Sequence, residues 1–450
     1  MPRLLSRLRS LSSRDGFGRR LATLGSGTIL GQACLVVSAP LITRLFTPEQ
    51  FGVLAVFGAL VSMAAVVMAL RYEFAVPALA SDEEAFATTS LGMVAALLLA
   101  LLLSLAIALA GVPLAVRLDL EVLTPFLWIL PPLLLAAGWC NVLMHASIRR
   151  GTYHHNAKST FLHFASQAAS QLLFGVMALG TAGLIWGYAA GQFARLAYLA
   201  LTLPSDERRR LQAVRPAAMW REARRHWRYP VFGATSGLMQ SAAQMLPAIL
   251  LASLYGTATA GLFALGQRML GMPVRVLSEA ASQVFLGTAG RLDGAGRYRL
   301  FRRTVWRFLA LGILGALPIL LAGPTLFAFV FGEPWRAAGA IMQILMPFYL
   351  MRFSVVPISQ ILNLTGRQHH HLLASLTITG ALAASFALGW WLALDAYTTI
   401  LLYSLGSSAS FLLYLLLAWR AALAGVADPA PSPAPSPAPS IADPKERPPS

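Results

Sequence analysis

Val94-Ala95-Ala96-Leu97-Leu98-Leu99-Ala100-Leu101-Leu102-Leu103 lies within Ala85–Val116, a stretch without one charged residue. About 20 mainly apolar residues in a helix cross the roughly 30 Å hydrocarbon layer of a bilayer. Barrel strands, the other solution for crossing lipid, alternate apolar and polar residues. This run does not alternate, so it reads as a membrane-spanning helix. Leu21–Thr43 and Leu372–Leu394 are equally free of charge. Working outward with the same criterion gives twelve expected spans: 21–43, 51–70, 86–111, 122–147, 159–180, 182–203, 230–253, 257–285, 308–331, 338–365, 372–394 and 397–419.

Composition agrees. Of the 450 residues, 57% are hydrophobic and 12% charged, about half the charge of a soluble domain. The net charge of +17 suggests nucleic acid at first sight. Its arginines, however, occupy short stretches between apolar spans, where orientation signals belong, and have no interleaved aromatics for base stacking. Only Lys158 and Lys445 are lysines. Cys34 and Cys140 both fall inside apolar spans, so neither a disulfide framework nor a zinc-ligand spacing exists. Six arginines precede the first span. That span is 23 residues long, beyond a signal-peptide core of about 7–15, and it reads as a retained helix.

Lysine and arginine bias sets orientation. With the N-terminus in the cytoplasm, inside segments through Arg420 hold 26 basic residues and outside loops hold three, Arg44, Arg117 and Arg336. Both termini are then cytoplasmic. One inside loop, 71–85, departs from the pattern: it sets Arg71 against Glu73, Asp82, Glu83 and Glu84. The chain divides into a basic segment (1–20), a six-helix bundle (21–203), a basic linker (204–229), a second six-helix bundle (230–420) and a Pro-Ala-Pro-Ser-rich tail (421–450) expected to be disordered. A shift of 209 positions lays Gly52-Val53-Leu54-Ala55-Val56 on Gly261-Leu262-Phe263-Ala264-Leu265. Six being even, the two bundles form a parallel pseudo-repeat about an axis along the membrane normal.

Charge inside a membrane usually faces a bundle interior or a wet cavity. Arg195, Arg268, Arg275 and Arg352 fall inside the expected spans. Arg268 and Arg352 lie near mid-depth, too deep to reach either surface easily. Each either bonds carbonyls freed at a nearby proline kink or, with Arg195, offers a cationic site to a phosphate. Arg275 and Glu279 stand one turn apart, as a local ion pair would. Glu279 is also the one carboxylate placed within a span, and so the candidate for ion coupling. Ser236, Gln240 and Gln244 share one helix face, His163, Gln167 and Gln171 another, and Thr28 and Gln32 a third. These groups either bond across helices or line a cavity for a polyhydroxylated ligand. His369-His370-His371, at a helix end beside Arg367, reads as solvated punctuation, and no metal or cofactor is expected. Nucleotide-binding, nucleophile-elbow, zinc and dinucleotide motifs are missing. The outside acids, Glu49, Asp119, Glu121, Glu333 and Asp395, spread over four short loops and offer no catalytic pair.

Pro40-Leu41-Ile42-Thr43-Arg44-Leu45-Phe46-Thr47-Pro48-Glu49-Gln50-Phe51-Gly52 resembles the first-loop signature of the Wzx-type polysaccharide flippases of the multidrug/oligosaccharidyl-lipid/polysaccharide exporter superfamily. Leu70-Arg71-Tyr72-Glu73, Arg149-Arg150-Gly151-Thr152-Tyr153, Ala260-Gly261-Leu262-Phe263-Ala264-Leu265 and Leu364-Thr365-Gly366-Arg367 follow in the family's order. The resemblance covers about residues 20–420. It implies a V-shaped cavity between two bundles, opening alternately to either side of the bacterial inner membrane. The implied substrate is an undecaprenyl-pyrophosphate-linked oligosaccharide, and the implied pathway partners are a polysaccharide polymerase and a chain-length regulator. A multidrug or metabolite exporter of the same superfamily, or a membrane-embedded polymerase or ligase, are the alternatives. Organic cations would favour cavity carboxylates, and a polymerase a large outside loop. Neither is seen.

Overall fold

The computed structural model describes residues 16–117 and 121–427; the basic residues up to 15 and the tail from 428 lie outside the described residues. Among the described residues there is no strand. The N-terminal half contains α1 (Gly16–Leu45), α2 (Pro48–Ala65), α3 (Asp82–Arg117), α4 (Leu130–Arg149), α5 (Tyr153–Val176) and α6 (Gly180–Leu201). Two short helices, α7 (Ser205–Gln212) and α8 (Pro216–Arg225), carry the basic linker. The C-terminal half contains α9 (Ala234–Tyr255), α10 (Thr257–Gly266), α11 (Met272–Ala289), α12 (Gly294–Phe331), α13 (Arg336–Val355), the single-turn α14 (Ile361–Leu364), α15 (Gln368–Trp391) and α16 (Ala396–Ala427).

Among the described residues nine helices are long and apolar enough to cross a membrane. Their outer surfaces are those of a protein in lipid. Leu98, Leu101, Leu102 and Leu109 of α3 and Leu314, Leu321 and Phe329 of α12 are all more than half exposed. In water such a belt would cost about 25 cal/mol per Å²; against acyl chains it costs nothing. Trp390 and Trp391, 72% and 74% exposed, sit at a helix end, where aromatic residues meet the headgroups.

Of the other helical stretches at expected spans, α10 is cut short by the π-turn that follows it, and α5 is the most polar, for a structural reason. Helix α5 is clasped on two sides. Gly27 and Gly31 of α1 lie against Ala157 and Phe164 of α5. Gly183, Gly187 and Gly191 of α6 lie against Phe174, Gln171 and His163. A stripe of small residues at every fourth position lets backbones approach closely, and it shields the polar face of α5 from lipid.

At one end the halves meet backbone to backbone. Thr47 caps α2: its hydroxyl accepts from Gln50 N (3.5 Å), and Gln50 Oε1 accepts from Thr47 N (3.1 Å). Pro48 occupies the first turn, where its missing N–H costs nothing. This box fixes where α2 starts, and four residues on Gly52 lies against the Thr257 backbone of α10. Gly261 in turn lies against the Pro48 carbonyl. Each contact becomes the other under the 209-residue shift. The pairing is therefore self-complementary, as a two-fold interface is, with the two repeats related across it. Trp335, fully buried, donates from Nε1 to the Thr43 carbonyl at 3.0 Å and packs edge-on against Phe51, 4.9 Å between centroids. The apolar core of the C-terminal half accordingly takes in Ile42, Phe46 and Phe51 of the other half.

Candidate substrate cavity and gates

The end carrying α7 and α8, the basic end, is built differently from this glycine-sealed end. Asp82 at the start of α3 bonds Arg149 (2.6 Å), Glu84 bonds Arg225 (2.5 Å) and Glu207 bonds Arg150 (2.8 Å). Two of the acids that made 71–85 an outlier thus serve to dock the basic linker and the end of α4. Exposed pairs of this kind contribute little singly; here they share one end of the bundle. Across the halves, Arg71 reaches over Gly233 and Gly237 of the C-terminal half, and Ser241 of α9 donates to Ser62 O of α2 at 3.5 Å. Glu73 is buried, and burial raises its carboxyl above the usual range.

Arg268 sits on a π-helical turn, Gln267–Gly271, joining α10 to α11. Pro273 follows it. Lacking an N–H, proline cannot continue the α-helical ladder, and Met272 N bonds Gln267 O instead. A π-turn thus stands where the sequence predicts a proline kink. Among the described residues, however, the guanidinium has no hydrogen bond or ion pair, to a freed carbonyl or to anything else. Such single π-turns are frequent at functional sites.

The other arginines have separate surroundings. Arg352 on α13 lies over the Phe348 ring (6.0 Å) and beside Tyr349 and Tyr403, within the C-terminal half. Arg195 on α6 lies within the N-terminal half beside Cys140, His163 and Tyr188, touching the Met144 sulfur; its Nε is buried with no partner. The sequence grouped the three as one kind of site, whereas the structure gives each its own neighbours.

The amides divide as well. Gln240 and Gln244, with Ser236, are exposed on α9. Gln167 and Gln171 are buried between α5 and α6, and Gln171 donates to Leu184 O at 3.2 Å, a bond across helices. Gln32 is buried on α1. Arg275 and Glu279 form no ion pair, contrary to their one-turn spacing; Glu279 is exposed on α11. A spacing of four places side chains on one face but does not orient them. Among the described residues no group of three or more potential metal ligands occurs, the histidine run at 369–371 included. His371 Nδ1 instead meets the Tyr414 hydroxyl at 3.1 Å. Sequence reading did not pick Arg71, Glu73 or Trp335 as site residues; the structure has Arg71 and Trp335 in contact with the other half. The signals available were the Leu70–Glu73 motif and the acids of the outlier loop.

Residues 41–339, about two thirds of the chain, match the family described as "Polysaccharide biosynthesis protein". The chain belongs to that family. The fold of this family member is similar to that of solved transporters described as of the MOP superfamily. A multidrug resistance MATE family transporter in its inward-facing conformation aligns with TM-score 0.68 and 13% identity, covering 90% of this chain and 98% of that one. The lipid II flippase MurJ in an inward closed conformation gives 0.69 and 11%, covering 91% and 90%. A MOP superfamily transporter from Pyrococcus furiosus, described as having a binding pocket of reverse polarity, gives 0.57 and 12%, covering 90% and 96%. Among curated proteins nothing matches. These solved structures share the fold with this chain at 11–13% identity.

Proposed function

We propose that this chain flips an undecaprenyl-pyrophosphate-linked oligosaccharide from the cytoplasmic to the periplasmic leaflet of the bacterial inner membrane by alternating access. Its basic end faces the cytoplasm. The observation that carries the reading is Arg268, a permanent cation at mid-depth without a counter-charge among the described residues. A lone guanidinium in a membrane is costly, and a pyrophosphate would supply the missing anion through paired hydrogen bonds. Arg352 and Arg195 are further cations for the same group as it moves. Gln240 and Gln244 on α9 are the amides for sugar hydroxyls. An exposed apolar groove of about 370 Å³, lined by Leu320, Met346, Pro347, Leu350 and Leu412, suits a lipid tail. The glycine-sealed end is the closed periplasmic gate, and a polymerase and chain-length regulator are the downstream partners. An organic-cation exporter would call for carboxylates where this chain has arginines.

The test is replacement of the chromosomal gene by Arg268→Ala and Arg352→Ala variants at matched expression. Surface polysaccharide should fall while lipid-linked repeat units accumulate on the cytoplasmic leaflet. Normal polymer in both variants would overturn the cationic site.

A further inference from the structure

Among the acids of the 71–85 loop, Glu73 stands apart. It is 2% exposed, and its Oε2 is buried with no hydrogen-bond partner. Asp82 and Glu84 have arginine partners, and Glu83 is exposed. The titratable groups near this end on its own turn and on the elements packed against it are Arg71 and Tyr72, Asp82 to Glu84 at the start of α3, His145 and Arg149 on α4, and Tyr229 on the π-turn that begins α9. Arg149 is taken by Asp82 and the Leu79 carbonyl. His145 Nδ1 is taken by the Asn141 carbonyl at 2.8 Å.

Only Arg71 is left. It lies two residues from Glu73 and forms no ion pair with it. Its backbone is left-handed, φ 62°, a conformation costly for a side chain with a Cβ. Its guanidinium runs past the Phe74 ring at 4.8 Å and covers Gly237 so closely that a Cβ there would collide with it. The Nε is buried and unpartnered. A strained arginine thus stretches from one half to the other while the nearest carboxyl lies buried and unpaired.

We propose that Glu73 is the proton-binding carboxyl that couples movement of the two halves to pH, with Arg71 as the strut it controls. In the arrangement seen here the carboxyl is protonated, which removes the cost of burying a charge. When the proton leaves to water at the basic end, the carboxylate attracts the guanidinium, Arg71 withdraws from Gly237, and α9 is free to move. Burial raises the proton affinity of Glu73. This arrangement is therefore favoured at low pH and lost as pH rises through the raised value. The inference rests on the alternating-access reading of the preceding section. It assigns coupling to a carboxyl at the inter-half contact rather than to Glu279, which is exposed.

The experiment uses full-length protein in nanodiscs, with Cys34→Ser and Cys140→Ala and spin labels at His154→Cys and Arg299→Cys, exposed positions on the two halves at the basic end. Distances are read by double electron–electron resonance from pH 5 to 8.5. The ratio of two distance populations should change by up to about tenfold per pH unit across the transition. Glu73→Gln should hold the low-pH distribution throughout, and Glu73→Asp should restore the transition. Gly237→Val, which displaces the guanidinium and leaves the carboxyl intact, should give the high-pH distribution already at pH 5. A Glu73→Gln protein that titrates like the parent overturns the proposal. So does a parent without pH response whose populations still move on Gly261→Val; alternating access would then stand without this coupling. If neither pH nor Gly261→Val moves any distance, the alternating-access reading fails with it.

Discussion

Substituting valine for Gly261 tests the sealed end directly. A Cβ there would lie 2.8 Å from Gly52 N and nearer still to the Pro48 carbonyl. Ordinary contact begins at 3.4 Å, so α2 and α10 must part by at least about 0.6 Å against backbone that cannot rotate away. Overpacking of this kind costs about 1–3 kcal/mol. The contact exists only while this end is closed, so the whole cost falls on one side of the conformational equilibrium. At 1.4 kcal/mol per factor of ten, the closed-to-open ratio should drop by roughly 5- to 150-fold. Spin labels at Met177→Cys and Tyr397→Cys, both exposed at the sealed end, would read the ratio as a longer distance population. Gly52→Val should act alike, by the repeat relation. The double variant should fall short of additive, because helices already parted do not clash twice. Gly287→Val, where nothing lies within 4 Å, is the control. A folded Gly261→Val protein with the parent's distance distribution would refute the assignment of this crossing as the gate.

Two further outcomes follow from single contacts. Trp335→Phe keeps a ring against Phe51 but leaves the Thr43 carbonyl, on a residue 4% exposed, without its donor. At about 1–3 kcal/mol for an unsatisfied buried group, the Met177–Tyr397 distances should lengthen in the same direction as for Gly261→Val, and unchanged distances would show that this bond does not hold the gate. Arg195→Met removes a cation that has no ion pair among the described residues, and with it the cost of burying an uncompensated charge. The variant should melt no lower than the parent in detergent while failing to restore surface polysaccharide in a deletion strain. A marked loss of melting temperature would make Arg195 structural.

Much of the architecture was legible because lipid allows few solutions. Ala85–Val116 had to be a helix, since no other backbone form satisfies its own hydrogen bonds there. The repeat was legible as a five-residue echo, and the start of α2 as a Thr-Pro-Glu-Gln cap. The candidate site was less so. Helical spacing put His163, Gln167 and Gln171 on one face, but whether that face met water or Gly187 and Gly191 was a property of α6. It also put Glu279 one turn from Arg275, yet rotamers and neighbouring helices leave the two apart. Glu73 read only as one acid of the inside loop that departs from the charge pattern, because burial is invisible in a loop's sequence.

The sequence by itself determined the membrane class, the helices and the duplication, because each follows from local chain chemistry and the dielectric of its surroundings. Only the tertiary structure decided that Gly52 and Gly261 press on each other's repeats, that Arg71 crosses to Gly237, and that Arg268 has no counter-charge among the described residues. Those facts depend on which surfaces meet across about 200 residues of chain, and a helical period carries no information about its partner.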